Sequence, residues 1–264
     1  MQECRPRGWA AGGEDCPSQR ENEDGKDTMK IANPVCIVIL VLACATLTGA
    51  AEAGYSRFSK QRDLMREGER LENIGRYKRA AKAYRKSGLY AIDNRTRGTL
   101  LAREADCYAN AGKPYDAFAA YERLLESYPL YVEYEKVIPR LRQLAGQFER
   151  GDNALFGMGN KTKAIKVYEL ILQETPLGQG GMQDSINLGN LLAEVDSGLE
   201  AVEVYRDALR RFPRDEKAPG VRLALGRLLV DQSRNGDGDG QIARQATREL
   251  QSFVEDRPDD PART

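Results

Sequence analysis

A four-residue pattern recurs along most of this chain and decides the class of fold that it adopts. A small residue is followed four positions later by Tyr or Leu, seven positions later in most copies by an apolar residue, and twelve positions later by Pro. Offsets of four and seven lie on one face of a helix, and Pro stops the helix because it lacks an N–H and holds the preceding residue extended. Each copy therefore predicts an amphipathic helix with a defined end. The copies are Ala117/Tyr121/Leu124/Pro129, Ala164/Tyr168/Ile171/Pro176, Ala201/Tyr205/Ala208/Pro213 and Ala246/Leu250/Phe253/Pro258, with Ala80/Tyr84/Ser87 as a fifth that lacks the Pro.

The spacing of the copies predicts stacked helical hairpins. Successive copies start 37, 47, 37 and 45 residues apart, which is the length of a helix–turn–helix unit. A second apolar stripe containing a small residue precedes the patterned helix, as at Gly68 in the first unit. Small residues let two antiparallel helices approach closely, and we expect Gly68 and Ala80 to lie at such facing positions. We predict an all-α solenoid of about five helical hairpins over residues 61–258.

Two connections inside the units are longer than the others. About seven extra residues lie within 151–162, and a segment rich in Gly and Asp lies at 231–240. Residues 235–242 imitate the first eight positions of a calcium loop, but the twelfth position is Ala246, which lacks the bidentate carboxylate. We therefore predict a solvated turn there and keep a calcium site as the alternative.

The composition argues against several classes of function. The chain has 40 Lys and Arg against 40 Asp and Glu, so its net charge indicates neither nucleic acid nor an anionic lipid surface as a partner. It has no His, which removes Ser-His-Asp and Cys-His catalytic arrangements and imidazole metal sites. No phosphate loop, paired-Cys motif or nucleophile elbow occurs. We expect a protein that is not an enzyme, with no cofactor and no metal, and we expect Cys107 to be buried and unreactive.

The N-terminal region has the three parts of an export signal. Met29 and Lys30 are followed by an uncharged run centred on 35–47, and Ala51-Glu52-Ala53 forms a cleavage box. The sequence therefore predicts a signal peptide or anchor over 29–53, with cleavage after Ala53 as the preferred interpretation. Residues 1–28 are polar and acidic and fit poorly in front of such a signal, which favours Met29 as the start.

Two alternatives for this region stay open. Cys44 is a candidate for lipidation, although Leu42 stands two positions before it, where a small residue is usual. Residues 31–51 form an uncharged stretch of 21 residues, long enough for an uncleaved anchor. All of these interpretations predict export of residues 54–264, and either alternative would associate the protein with a membrane through its N-terminus.

Helix–turn–helix units with small contact residues and a closing Pro are the marks of the tetratricopeptide repeat. The unit that ends at Pro129 reads AFAAYERLLESYP, and with the preceding signal it resembles the BamD-like outer-membrane assembly lipoproteins. The likeness covers residues from about 61 to 258. It implies a scaffold in the periplasm, or at the periplasmic face of the outer membrane of a Gram-negative-type bacterium. There it would hold the barrel-inserting protein BamA and help to deliver unfolded barrels.

A second resemblance is kept as the alternative. Residues 211–219, followed by Leu225-Gly226, are similar to the periplasmic repeat domain of CpoB-like cell-division coordinators. That family implies a trimeric coiled coil ahead of the repeats, and residues 54–61 leave no room for sustained heptads. A generic exported repeat protein with an unassigned partner is the remaining possibility, because a fold does not fix a function.

The repeat family also implies where a partner would bind. In its register the first helices of successive units line the concave face, which suits a partner protein or an extended peptide. The residues that this register turns outward are the candidate partner groove: Arg62, Met65, Glu69 and Glu72 in the first unit, and Thr99, Ala102, Asp106 and Asn110 in the second.

Overall fold

The computed structural model describes residues 55–151, 160–234 and 240–256, which belong to one compact unit. The predictions for residues 1–53, including Cys44, lie outside the described residues. So do residues 152–159 and 235–239, at the centres of the two long connections, and Pro258.

Ten α-helices and one 3-10 turn, with no strand, make up the described residues, so the all-α prediction is confirmed. The first helix begins at residue 55, upstream of the repeat pattern. The helices are α1 (55–73), α2 (Tyr77–Tyr90), α3 (Asn94–Asn110), α4 (Pro114–Ser127), α5 (Tyr134–Arg150), α6 (Lys161–Glu174), α7 (Gly181–Glu194), α8 (Gly198–Arg211), α9 (Ala218–Arg234) and α10 (Gln241–Asp256), with the 3-10 turn at Pro129–Tyr131.

Each helix packs mainly against its neighbours along the chain, as a solenoid requires. The helices pair as hairpins α1–α2, α3–α4, α5–α6, α7–α8 and α9–α10, and the second helix of each hairpin packs on the first helix of the next. Contacts α3–α5 and α4–α6 connect equivalent helices of neighbouring hairpins. This is the predicted solenoid of five helical hairpins.

The helices end where the Pro residues predict. Helices α4, α6 and α8 each stop two residues before their Pro. The intervening residues Tyr128, Thr175 and Phe212 have φ of −136°, −133° and −124°, outside the helical range. A residue before Pro is pushed away from helical geometry by the Pro ring. The local sequence therefore sets the length of these helices.

A small residue on the first helix lies directly against a large side chain of the second helix. A Cβ atom added to Gly68 would stand 2.7 Å from a ring carbon of Tyr84, and one added to Gly226 would stand 2.6 Å from Leu250. Gly189 lies equally close to the ring of Tyr205. The predicted close approach is therefore present, and the side chain that faces Gly68 is Tyr84, four residues beyond the fully buried Ala80.

Two buried carboxylates join the hairpins to each other. Glu104 on α3 pairs with Arg85 of α2 at 2.8 Å and with Arg123 of α4 at 3.1 Å. Asp184 on α7 receives three short contacts, of 2.8 to 3.1 Å, from the guanidinium of Arg142 on α5. Each carboxylate side chain is only 3% exposed, and its charge is matched by guanidinium groups, as buried charges require.

Two further observations concern Cys107 and the described helices. Cys107 is fully buried, which confirms its predicted burial. Among the described residues no helix combines the length and the apolar character needed to cross a bilayer.

We predict that Gly68→Ala destabilises the protein by about 1–3 kcal/mol, because the new methyl group would overlap the ring of Tyr84. The matched control is Gly88→Ala in the same hairpin, where nothing lies within 4 Å of the added atom. That variant should gain up to about 1 kcal/mol, because Ala favours a helix more than Gly does. Urea unfolding of both variants is the measurement, and equal effects would show that the ring does not limit the helix approach.

Candidate partner groove

The eight predicted groove residues all reach the surface of α1 and α3. Arg62, Thr99 and Asn110 are exposed, and the other five are half-buried. Met65 and Ala102 also pack partly against the hydrophobic core. The structure is therefore compatible with the outward orientation that the repeat register predicts for these eight residues. Contact of the eight residues with a partner stays a prediction.

Three of these residues line one cleft. Thr99, Ala102 and Asp106 face a cleft of about 510 Å³ between α3 and α5, and the four residues of α1 and Asn110 do not line it. Apolar side chains in the lining include Ala102, Leu124 and Val137. The charged side chains balance one another in number: Arg103, Lys136 and Arg140 against Asp106, Glu133 and Glu135.

A row of tyrosine hydroxyl groups, the hydroxyl ladder, connects the core to the first helices. In four hairpins a buried tyrosine of the second helix donates its hydroxyl proton to a polar side chain of the first helix. The donor–acceptor pairs are Tyr84–Glu72 at 2.7 Å, Tyr121–Asp106 at 2.6 Å, Tyr168–Glu149 at 3.0 Å and Tyr205–Asn190 at 2.6 Å. The rings fill the hairpin core while their hydroxyl groups are satisfied next to solvent.

Side chains of the following hairpin extend the ladder from one unit to the next. Arg103 on α3 donates to the Tyr84 hydroxyl at 3.3 Å, and Asn187 on α7 donates to the Tyr168 hydroxyl at 3.0 Å. Arg140 on α5 lies 3.4 Å from the Asp106 carboxylate. Asp106 therefore supports both its own hairpin and the next one.

Burial and neighbouring carboxylates keep the ladder tyrosines protonated. Burial raises the pKa of Tyr84, Tyr121 and Tyr168, and hydrogen bonds and charge repulsion from Glu72, Asp106 and Glu149 raise it further. For Tyr205 burial alone raises the pKa to about 12. A tyrosine with its ordinary pKa near 10 is already protonated at neutral pH, so the raised pKa values extend the role of these hydroxyl groups as donors to alkaline pH.

Burial likewise raises the pKa of the Cys107 thiol to about 12, with Glu72 and Asp106 adding to the effect. A protonated, fully buried thiol is a poor nucleophile, as the sequence predicted. Within the described ranges, no three acidic or Cys side chains come close enough together to hold a metal ion.

A second cleft, of about 440 Å³, lies between α7 and α9. Its lining includes the apolar side chains Ile186, Val221 and Leu223 and the ring of Phe253 from α10, with Glu216 and Lys217 as its charged residues. Asn190 and Tyr205, the last pair of the hydroxyl ladder, also line it. The fifth hairpin has Leu250 where the others have Tyr, so it contributes no further hydroxyl.

Only part of this arrangement was predicted from the sequence. Glu72 and Asp106 were predicted only as partner contacts, whereas the structure shows that they also accept hydrogen bonds from buried tyrosines. Arg103 and Arg140 were not predicted at all. One signal was present in the sequence: an acceptor stands one or four positions after the small residue on the first helix, as with Gly68 and Glu72.

Comparison with known proteins supports the repeat type. The family model of the tetratricopeptide repeat matches residues 103–131, which contain the end of α3, all of α4 and the 3-10 turn. No curated protein matches the chain.

Several solved structures of helical repeat proteins are similar to this chain. A MamA protein is 15% identical, with 75% of this chain and 92% of that chain covered and a TM-score of 0.38. A thermophilic TPR protein of Thermus thermophilus is 17% identical, with 76% and 93% covered and a TM-score of 0.34. YrrB, described as a TPR protein with an unusual peptide-binding site, is 13% identical, with 79% and 92% covered and a TM-score of 0.39.

These TM-scores are low, so the repeat assignment depends on the matched unit and on the helix geometry described above. Five helical hairpins, small residues at the helix contacts and helix ends set by Pro are the features of tetratricopeptide repeats. The chain is an all-α solenoid of helical hairpins, and its second hairpin matches the tetratricopeptide repeat.

We predict that the free energy of unfolding falls as the pH rises above 10. An unfolded tyrosine ionises near pH 10, whereas folded Tyr205 ionises near pH 12, so the unfolded chain loses a proton that the native state retains. The raised pKa of Tyr205 contributes fully to the free energy of unfolding below pH 10. The contribution is lost between pH 10 and pH 12, by at most about 1.4 kcal/mol per pH unit for one tyrosine.

The measurement is urea unfolding of the wild type and of Tyr205→Phe between about pH 8 and pH 11.5. Tyr205→Phe should lower stability at neutral pH, because it removes the bond to Asn190, and should make the alkaline decline shallower. Tyr55→Phe, at a ring that is 74% exposed, is the matched control. If the free energy of unfolding of Tyr205→Phe falls with pH as steeply as that of the wild type, the prediction is wrong.

Proposed function

We propose that this protein is a non-catalytic binding scaffold whose first helices hold an extended segment of a partner protein. The observation that carries this proposal is the cleft between α3 and α5, where apolar side chains lie beside three cations and three carboxylates. Apolar side chains in a cleft provide binding energy, and a balanced set of charges provides hydrogen bonds without selecting for strongly charged partners.

The hydroxyl ladder supports this proposal because it holds the polar side chains in place before a partner arrives. Asp106 is fixed by the Tyr121 hydroxyl, and Arg140 lies against both Asp106 and the amide oxygen of Gln143. Side chains that are already ordered lose little conformational entropy on binding. Thr99 and Gln143 are exposed at the same cleft and have hydrogen-bonding capacity for a peptide backbone.

The second cleft gives the groove two positions of different character. The α3–α5 cleft is strongly charged, whereas the α7–α9 cleft is mainly apolar and has one Glu and one Lys. A partner segment long enough to reach both would place polar side chains in the first cleft and an apolar side chain in the second. Two linked contacts raise affinity without requiring either one to be strong.

We propose further that the scaffold acts in outer-membrane protein assembly, as the resemblance to BamD-like lipoproteins implies. On this proposal the partner is a BamA-like barrel assembly protein, and the chain works on the periplasmic side of the outer membrane. The export signal expected at 29–53 and the resemblance over residues 61–258 support it.

We predict that Ala102→Arg weakens partner binding at least about tenfold, or about 1.4 kcal/mol, because the long side chain would occupy the α3–α5 cleft. The ligand for this test is a peptide selected by the full chain from a random peptide library and then synthesised with a fluorophore. Fluorescence anisotropy gives the dissociation constant for each variant.

The matched control is Ala119→Arg, on the exposed face of α4 in the same hairpin, which should leave the dissociation constant unchanged. Because Ala102 is half-buried, the Arg side chain could also destabilise the fold. Thermal unfolding of both variants shows whether a loss of binding comes from a blocked cleft or from a destabilised protein. If Ala102→Arg binds the peptide as tightly as the wild type does, the α3–α5 cleft is not the binding site.

The assembly role has its own test. The tagged chain and its Ala102→Arg variant would be purified from gently solubilised envelopes, with copurifying proteins identified by mass spectrometry. Recovery of a BamA-like protein with the wild type but not with the variant would support the assembly role. Recovery of Tol-system or peptidoglycan-synthesis proteins instead would replace it with the division-scaffold alternative.

A further inference from the structure

The balanced total charge of the chain conceals a strongly basic first hairpin. Residues 55–90, which contain α1 and α2, have eleven Lys and Arg against four Asp and Glu, whereas residues 91–264 have 24 against 28. The balanced total charge therefore does not describe this hairpin. An excess of seven positive charges over these 36 residues creates a local field that the rest of the array does not share.

The cations of this hairpin form one exposed surface, which we call the basic face. A cleft of about 290 Å³ between α1 and α2 is lined by five cationic side chains, with Glu67 as its one carboxylate. All five cations are exposed, and none has a hydrogen bond or an ion pair from its side chain to another described residue. The basic face consists of Arg70, Arg76, Arg79, Lys82 and Lys86.

This arrangement is unfavourable for the hairpin taken alone. Helix α2 has five Lys and Arg and no acidic residue, and like charges four positions apart, such as Lys78–Lys82 and Lys82–Lys86, repel each other. Its first turn has no carboxylate to match the positive end of the helix, and two cations stand there instead. An anionic partner would relieve both effects, which distinguishes this surface from an ordinary solvated helix face.

Apolar side chains stand at one end of the same hairpin. Tyr55 is 74% exposed and Phe58 is 50% exposed on the first turns of α1, and Leu89 is 72% exposed near the end of α2. The two helix ends lie together, because Lys60 of α1 packs over the Tyr90 ring at 4.8 Å. Arg62 lies over the Phe58 ring at 5.9 Å. Exposed aromatic side chains beside cations are typical of surfaces that enter the interfacial region of a bilayer.

The sequence immediately before the hairpin favours a bilayer over other anionic partners. The uncharged stretch 31–51 ends four residues before α1 begins. If that stretch is held in a membrane, the first hairpin stands within a few residues of the lipid headgroups. Lys and Arg side chains at a membrane surface are attracted electrostatically to anionic lipid headgroups.

We propose that the basic face of the first hairpin docks on an anionic lipid surface, with Tyr55, Phe58 and Leu89 entering the interface. The docked hairpin holds the repeat array beside the membrane, and its cations face the phosphate groups of the lipids. This inference concerns a surface separate from the α3–α5 cleft, so it does not depend on the proposed partner groove.

The first experiment is flotation of the full chain with vesicles of phosphatidylcholine alone or with about one third phosphatidylglycerol. We expect the wild type to bind the anionic vesicles at least about tenfold more tightly, with the preference reduced when salt rises from about 0.1 M to 0.5 M. The triple variant Arg79→Glu, Lys82→Glu, Lys86→Glu should lose that preference. Its matched control, Lys166→Glu, Arg214→Glu, Arg248→Glu, reverses three exposed cations elsewhere and should keep it.

Three results would overturn the proposal. Equal binding of the wild type to neutral and anionic vesicles would show that the uncharged stretch 31–51 accounts for the binding. If the triple variant Arg79→Glu, Lys82→Glu, Lys86→Glu still prefers anionic to neutral vesicles, the basic face does not contact the lipids. Binding of a fluorescent oligonucleotide that the triple variant loses, without any preference for anionic vesicles, would assign the basic face to nucleic acid. Thermal unfolding of both triple variants shows whether the folds are intact.

A second measurement reports contact of the first hairpin with the lipids, whether or not the uncharged stretch 31–51 inserts into the membrane. Trp9, the only tryptophan, is replaced by Phe, and a new tryptophan is introduced by Leu89→Trp or, as the matched position, by Leu199→Trp. Both sites are similarly exposed, at 72% and 73%. Brominated lipids in anionic vesicles should quench the tryptophan at position 89 and not the one at position 199. Equal quenching, or none at position 89, would overturn the proposal.

Discussion

The structure depends on one contact that recurs in the hairpins: a large side chain of the second helix lies on a small residue of the first. Gly68, Gly189 and Gly226 meet Tyr84, Tyr205 and Leu250 at distances that leave no space for a methyl group. This close approach also determines where the tyrosine hydroxyl groups emerge. They reach Glu72 and Asn190 on the first helices, so the residues that close the hairpin core also order the polar side chains beside the clefts.

The stacking of hairpins depends on a different interaction, the buried ion pair. Glu104 is held between guanidinium groups from the hairpin before it and from its own, and Asp184 joins α7 to α5 through Arg142. Arg142 also donates to the backbone carbonyl of Gln179 at 2.6 Å, ahead of α7. The carboxylates are buried but the guanidinium groups are 33–49% exposed, so loss of one arginine should cost less than in a fully buried pair. The central hairpins are therefore joined by specific contacts as well as by apolar packing.

Most of the helix plan was predictable from the sequence, because the rules that set it are local. Pro129, Pro176 and Pro213 act on the residue directly before them, so each predicted helix end is accurate. The hydroxyl ladder was not predictable in the same way, since each tyrosine finds its acceptor on another helix at a separation that varies from 12 to 19 residues. Arg103 and Glu72 are 31 residues apart, and no periodicity connects them.

The charge distribution was missed for another reason, which also bears on how the two proposed surfaces work together. A total over the whole chain averages a basic first hairpin with a more acidic remainder, although electrostatic interactions act over about 10 Å and respond to local charge. In a solenoid each hairpin contacts mainly its neighbours, so a surface on the first hairpin uses none of the residues that line the two clefts. Docking through the basic face would therefore leave both clefts available to a partner. The first hairpin still meets the α3–α5 cleft at Arg103, which bonds to Tyr84 and lines the cleft, so the two surfaces are joined by a direct side-chain contact.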